Sequence, residues 1–250
     1  MKRYLIRISY DGTNFCGWQS QKNENTIQQT IEKALSEIAK TKIRITGAGR
    51  TDSGVHALRQ YAHFDFPLEM SAEQILLATS SKLPSDIRVQ KVFPVKNDFH
   101  ARFDAVSRKY IYIITNERTP FNRFYKSYFP RKNISFDVLK NCLIYFKGRN
   151  DFTSFSKQNP DLSHNYCTIH KISLEKQEHD LVLEITSNRF LHNMIRRIVG
   201  AMINISNTNA NPEIIQTLLK NKDPNHKLIS TAPPEGLYLA EIIYPQESFL

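Results

Sequence analysis

The sequence predicts an α+β protein of two ferredoxin-like halves that share a mainly antiparallel central sheet flanked by helices. Three observations lead there. Segments with the two-residue alternation of strands are interleaved with segments of helical spacing. Their order runs twice through a β-α-β-β-α-β-like series. No Gly/Ser-rich linker separates the two passes. The composition agrees: 250 residues, 40% hydrophobic and 23% charged, suit a soluble globular protein with ample chain for a core.

Residues 3–10 open the first half, with Tyr4, Ile6, Ile8 and Tyr10 alternating against Leu5, Arg7 and Ser9. This N-terminus lacks the long apolar run of a signal peptide, and no stretch approaches the ~20 apolar residues of a membrane span. A cytoplasmic protein with no membrane partner is expected. A loop with Trp18 leads to a helix over 27–40, where Ile27, Ile31, Leu35 and Ile38 mark one face. Thr26 and Gln29 have the spacing of a capping box. Strands are expected at 42–48, through Ile43 and Ile45, and at 58–66, followed by a helix at 71–82 and a strand at 86–95. The second series is a strand at 107–115, a helix at 135–147, strands near 166–175 and 180–187, helices at 190–205 and 211–221, and a strand at 236–244. The halves are placed at 1–100 and 101–250, with the joint near 97–106. Segments 117–133 and 156–165, broken by Pro120, Pro130 and Pro160, are the expected irregular insertions.

Cys16, Cys142 and Cys167 are far apart and show no paired spacing, which argues against a disulfide framework and a zinc site. They read as small apolar residues. The formal net charge is +10. Residues 96–149 hold twelve Lys and Arg against four Asp and Glu, interleaved with Phe99, Phe103, Tyr110, Tyr112, Phe121, Phe124, Tyr125, Tyr128 and Phe129. Basic groups suit phosphates and aromatic faces suit exposed bases, though a solvated basic surface over an aromatic core fits the same pattern.

Residues 47–57, GAGRTDSGVHA, are the most informative run. Three glycines among eleven residues favour a tight loop between the two neighbouring strands. The loop presents Arg50 and Asp52, where functional side chains commonly sit.

This run resembles the catalytic R-T-D-x-G-V-H-A segment of the tRNA pseudouridine synthase A family. Four further elements resemble that family in the same order: Phe15-Cys16-Gly17-Trp18-Gln19 with Thr26-Ile27-Gln28-Gln29; Phe99-His100-Ala101-Arg102-Phe103 with Arg108-Lys109-Tyr110; Asn188-Arg189-Phe190-Leu191-His192-Asn193-Met194-Ile195-Arg196; and Ala232-Pro233-Pro234-Glu235-Gly236-Leu237-Tyr238-Leu239. Together they span nearly the whole chain. Departures are small: Ser53 occupies a tolerant slot, Met194-Ile195-Arg196 stands where Met-Val-Arg is usual, and Arg189 follows Asn188 where a small residue is common.

The resemblance implies the pseudouridine synthase fold and isomerisation of uridine to pseudouridine at positions 38–40 of the tRNA anticodon stem-loop. It also implies a homodimer whose cleft is lined by both chains, with a dimer surface in the second half. Asp52 is then the nucleophile and Arg196 its ion-pair partner. Tyr110 packs on the target base and assists proton transfer at C5. Arg50, from its place on the loop, is a candidate for base flipping, to hold either the space the base vacates or a phosphate. Arg50, His56, Arg102, Arg108 and Tyr110 are the expected substrate-binding residues. Isomerisation demands no redox cofactor, nucleotide or metal by stoichiometry, so no cofactor is expected. By pattern alone, Tyr110 is a core residue of an alternating strand, and His56 and His192 are structural. Arg189, His192 or Asn193, Arg196 and Gly200 form a stripe along the 190–205 helix, and Arg197 is structural or RNA-facing.

Three other readings fit less well. A non-catalytic, RRM-like binding module explains the charge but not the 47–57 loop, and the chain lacks a clear K/R-G-F/Y run. A Ser53 hydrolase lacks a G-x-S-x-G elbow. A metal-dependent nuclease requires clustered carboxylates.

Overall fold

The computed structural model describes residues 1–130, 132–160 and 162–249. The chain is α+β and divides into two units, Met1–Ser107 with Tyr238–Leu250, and Arg108–Leu237. The first begins with β1 (Lys2–Tyr10), whose Tyr4, Leu5, Ile6, Ile8 and Tyr10 are buried. It continues through α1 (Ile27–Ala39), β2 (Thr46–Gly47), β3 (His56–Phe66), α2 (Ala72–Ser80) and β4 (Ile87–Pro94). The sheet order is β4-β1-β3-β2 with every neighbour antiparallel, the ferredoxin-like arrangement expected from the sequence.

Helix α1 buries Ile27, Ile31 and Leu35 as its spacing predicts. Its cap is a variant of the expected box: Thr26 Oγ1 accepts the Gln29 N–H at 3.4 Å, and Gln29 Oε1 turns back to accept the Thr26 hydroxyl (2.9 Å), not the Thr26 backbone N–H, while Gln29 Nε2 donates to Gln21 O. In α2 the complete box forms between Ser71 and Gln74.

The expected strand at 42–48 shrinks to Thr46–Gly47. Ile43 and Ile45 are buried, as their alternation suggests. However, side chains of α1 serve the backbone here. Ile43 N donates to Ser36 Oγ (2.8 Å), Ile45 N to Glu32 Oε1 (3.1 Å), and Ile45 O accepts from Gln28 Nε2 (3.1 Å). A buried backbone needs partners, and a helix can supply them as well as a strand.

Strand β3 starts two residues earlier than expected, so His56 lies in the sheet. Its register with β1 shifts between Ile8–Gln60 and Tyr10–Ala57. The extra residue leaves Leu58 and Arg59 consecutively exposed. Farther along, His63 is buried with Nδ1 accepting the Ala101 N–H at 3.0 Å. Burial, reinforced by the Arg3 charge, lowers its pKa to about 4.

The second unit holds β5 (Ser107–Thr115), β6 (Ser127–Tyr128), α3 (Phe136–Phe146), β7 (Gly148–Asp151), β8 (Tyr166–Gln177), β9 (Asp180–Ser187), α4 (Met194–Asn207) and α5 (Ile214–Asn221). The sheet order is β5-β9-β8-β7, antiparallel, with β6 parallel to β5. The meander β7-β8-β9 departs from a second β-α-β-β-α-β series, because the four-residue β7 carries no readable alternation. Strand β6 falls inside the expected 117–133 insertion, where Arg131 lies outside the described residues. Asp161, in the other expected insertion, also lies outside them. The chain then enters β10 (Leu237–Ile243), which pairs in parallel with β3 at Tyr238–His56 and Leu239–Ala57.

Helix α4 starts at Met194, four residues later than its periodicity suggests. Asn193 adopts a left-handed φ of 61°, so Phe190–Leu191–His192 form the approach to the helix and not its first turn. The expected stripe from Arg189 to Gly200 is therefore not a single helical face. Its helical part is covered by residues 228–232. Asn204 Nδ2 donates to Leu228 O (3.1 Å), and a Cβ on Gly200 would lie 2.0 Å from Ser230 O.

Cys142 and Cys167 are buried as expected, their thiols pushed up to about 12 and about 11 by burial. Cys16 is only half-buried, its thiol donating to Glu24 at 2.8 Å.

Glu32→Ala strands the buried Ile45 N–H and is expected to cost about 1–3 kcal/mol in denaturant unfolding. His63 is held neutral when folded but titrates near 6.5 when unfolded. Its contribution is complete above pH 6.5 and is lost as pH falls toward 4. His63→Gln is therefore expected to flatten the stability–pH profile in that window.

Candidate active site

The loop before β3 is built by close backbone approaches. Gly17, at φ +82°, lies where a Cβ would meet Thr51 O at 2.6 Å. Next to it, Trp18 N donates to that same Thr51 carbonyl at 3.0 Å. The Trp18 indole fills the space over Gly47, where a Cβ would sit 2.5 Å from Nε1. Gly12 is equally constrained, its Cβ position being 2.0 Å from Val55 O. From below, the buried Tyr10 hydroxyl bonds Thr51 Oγ1 at 2.8 Å. Phe15 O accepts from Ser53 Oγ (3.2 Å) and Gly54 N (3.4 Å). The FCGWQ element thus serves as the mould of the glycine-rich loop.

The same element joins the loop to α1. Gly17 O and Trp18 O accept the Ile27 and Gln28 amides at 3.2 and 3.0 Å. These amides belong to the first helical turn, which has no intrahelical acceptors of its own. Asp52 is half-buried, between an exposed Arg50 and an exposed Ser53 whose hydroxyl is engaged by Phe15 O.

His56 is 2% exposed, with Nδ1 accepting the Gly12 N–H at 3.1 Å and its ring stacked on Tyr238 at 4.8 Å. An Nδ1 that accepts from Gly12 carries no proton toward Asp11 Oδ1, 3.2 Å away. Its contacts with Gly12 and Tyr238 are those of a support beneath the loop. Arg102 lies in the same unit, exposed, with its guanidinium over the Phe103 ring at 5.7 Å.

The other expected residues belong to the second unit. Tyr110 is buried on β5, its ring edge-on to Phe190 at 5.0 Å. Arg108 donates to Asn188 O at 2.8 Å. Arg196 is half-buried, with Nε donating to Ala232 O (2.7 Å) and Nη1 to Asn193 Oδ1 (3.1 Å). Its carbonyl accepts the Ala232 N–H at 3.0 Å. The two C-terminal motifs therefore orient one guanidinium together. Arg197 donates to Ser154 O (3.1 Å) and to Pro224 O, and desolvation lowers its pKa. His192 O accepts from Lys157 N.

Sequence reasoning missed two supports. Tyr112, a neighbour of Tyr110 on the same strand face, donates to Pro233 O (2.8 Å) and accepts the Ser127 hydroxyl at 2.7 Å. Gly236 N donates to the same Ser127 Oγ at 3.1 Å, and Gly236 O accepts Ile113 N at 2.8 Å. A buried tyrosine needs a partner for its hydroxyl, but nothing local names that partner.

The basic, aromatic stretch divides into two sets. Phe99, Tyr110 and Tyr112 are core residues, while Phe103 and Phe121 are 74% and 91% exposed. Arg123 lies over Phe124 at 4.3 Å, and Lys126 pairs with Asp180 at 2.5 Å. Among the described residues, no three His, Cys, Asp or Glu gather as metal ligands, and no helix is long and apolar enough to cross a membrane.

Gly17→Ala is expected to lose about 1–3 kcal/mol and to loosen the loop, read by melting and by proteolysis at 48–55. Gly49→Ala, with nothing within 4 Å of its Cβ position, is expected to stay within about 0.5 kcal/mol of the parent.

Comparison with known proteins places this geometry in a family. The family described as tRNA pseudouridine synthase matches residues 6–104 and 143–245. A protein of Porphyromonas gingivalis named tRNA pseudouridine synthase A is 37% identical over 256 residues, covering 100% of both chains. The protein of that name from Bacteroides fragilis is 38% identical over 251 residues, covering 100% of this chain and 99% of its own. One from Pseudothermotoga lettingae is 39% identical over 242 residues, covering 96% and 98%. With matches of this identity over the full length, the chain belongs to the tRNA pseudouridine synthase A family, a family of isomerases.

Proposed function

We propose that the chain isomerises uridine to pseudouridine at positions 38–40 of the tRNA anticodon stem-loop, with Asp52 as nucleophile. The observation that carries this reading is the setting of Asp52. A single carboxylate is presented half-buried on a loop whose backbone is clamped on both sides, with an exposed guanidinium two residues away. One carboxylate able to form and release a covalent bond suffices for the reaction. The C1′–N1 bond breaks, the uracil turns, a C1′–C5 bond forms, the C5 proton leaves and N1 is protonated. Attack at uracil C6 and attack at ribose C1′ both suit this carboxylate.

Arg196 is the proposed ion-pair partner of Asp52, an assignment that rests on the family resemblance. Its support in the structure is a guanidinium held by Ala232 O and Asn193 Oδ1. A facing guanidinium would favour the ionised carboxylate. Tyr110 is proposed to pack on the target base and Arg50 to occupy the place the flipped base leaves. Extruding that base costs a few kcal/mol of unstacking, offset by basic contacts such as those of Arg102 and Arg108. For His56, burial supports a positioning role beneath the loop in place of direct RNA contact. A homodimer and a cytoplasmic location complete the reading, both on resemblance.

The test is tritium release from C5-labelled uridine in an unmodified tRNA transcript, with EDTA present. Wild type is expected to release tritium, and Asp52→Asn to bind the transcript without detectable release. Near-normal release by Asp52→Asn overturns the assignment. Arg196→Ala is expected to reduce turnover by about 100-fold or more. Arg197→Ala is expected to lower the melting temperature first, since its known partners are backbone carbonyls of its own unit. Equal effects on turnover would count against the Asp52–Arg196 pair.

A further inference from the structure

The turn at 99–104 is rigidly built. His100 N donates to Asp104 Oδ2 (2.9 Å), Ala101 N to His63 Nδ1 (3.0 Å), and Arg102 N and Phe103 N approach His100 Nδ1 at 3.2 and 3.3 Å. Phe103 N and Asp104 N also donate to His100 O at 3.1 and 3.0 Å, and Tyr244 Oη donates to Ala101 O at 2.6 Å. All five amides from 100 to 104 are therefore engaged. The turn holds Phe103 in the open: its ring is 74% exposed, yet fixed against the His100 imidazole at 4.2 Å and 28°. His100 is braced in turn by the buried His63, edge-on at 4.8 Å.

A single exposed phenylalanine on a loose loop requires no explanation. A fixed ring on a fixed turn is different, because it meets a ligand with little ordering left to do. We propose that Phe103, seated on His100, is a stacking subsite for a tRNA base other than the uridine that is isomerised. The chemistry around it suits a nucleotide. The Arg102 guanidinium lies over the same ring at 5.7 Å, the stretch beginning at Lys96 is strongly basic, and the chain carries a net charge of +10. Of the two nearby acids, Asp104 is engaged by the His100 amide, and Asp98 lies in the field of Arg3. An aromatic face beside cations is how single-stranded bases are held without sequence readout.

The subsite is distant from the reaction. His63 braces the turn seven residues along β3 from His56, and His56 adjoins the Asp52 loop. That length of strand spans roughly 20 Å, too far for one nucleoside to reach both.

This inference rests on the tRNA reading above, and one experiment separates the two. Full-length wild type, Phe103→Leu and Phe103→Trp are titrated with the unmodified transcript at several salt concentrations, and tritium release and sedimentation are recorded in parallel. Phe103→Leu keeps apolar bulk but has no aromatic face; it is expected to weaken binding about ten-fold and raise KM with little change in kcat. Phe103→Trp is expected to bind as well as wild type. Neither changes the slope of affinity with salt, because no charge is altered. Unchanged affinity in Phe103→Leu overturns the subsite while leaving the reaction intact. A fall in sedimenting mass with unaltered RNA affinity also overturns it, and assigns Phe103 to a contact with a second copy. Failure of wild type to release tritium overturns the functional reading instead.

Discussion

The Thr51 carbonyl receives the Trp18 amide, and it can do so only because residue 17 has no side chain to hold the two segments apart. Much of the first unit depends on that approach. The carbonyls of Gly17 and Trp18 occupy the first amides of α1, and the Trp18 indole closes over Gly47. The Tyr10 hydroxyl meets the Thr51 side chain at the end of β1. A strand, a helix start and the loop bearing Asp52 are thereby locked to one small patch of backbone. A rigid loop limits the positions of its carboxylate, which is what nucleophilic attack requires.

The second unit orients Arg196 by a comparable device with different parts. Residues 228–233 run along α4 where Gly200 leaves room, and exchange backbone bonds with Arg196 through Ala232. Tyr112 and Ser127 bind the continuation of that segment at Pro233 and Gly236. Segments separated by 36 to 121 residues become one hydrogen-bonded assembly. In it, the orientation of the Arg196 guanidinium is set by neutral acceptors. Arg197, one residue on, meets backbone carbonyls that fit it for packing instead. Two adjacent arginines of identical chemistry thus diverge through the direction the helix gives them.

Periodicity made most elements legible, including β1, β4, β5, β9, α1, α2 and α3, because apolar spacing reports which face is buried. It overstated the segment before the loop. Ile43 and Ile45 do alternate inward, but Glu32, Ser36 and Gln28 take the hydrogen bonds a neighbouring strand would have taken. It also extended α4 by four residues, since nothing in Phe190–Leu191–His192 forbids a helix, and the left-handed Asn193 is a local choice made by its surroundings. Strands β6 and β7 were too short to carry a pattern. Of the candidate site residues, Asp52, Arg50, Tyr110 and Arg196 could be singled out from motifs. The support given by His56 to Gly12 could not.

By itself, the sequence determined the class of fold, the polyanion-suited charge, and the identity of the loop that bears the carboxylate. These depend on residue type and short-range spacing, which the chain carries locally. Only the tertiary structure decided that Gly12 and Gly17 shape that loop from a distance, that His56 is buried beneath it, and that the 228–233 segment aims Arg196. It also decided which aromatics of the basic stretch are core and which, like Phe103, remain exposed. Backbone partners and burial are settled by contacts between segments far apart in sequence, and no local pattern encodes which segment will arrive.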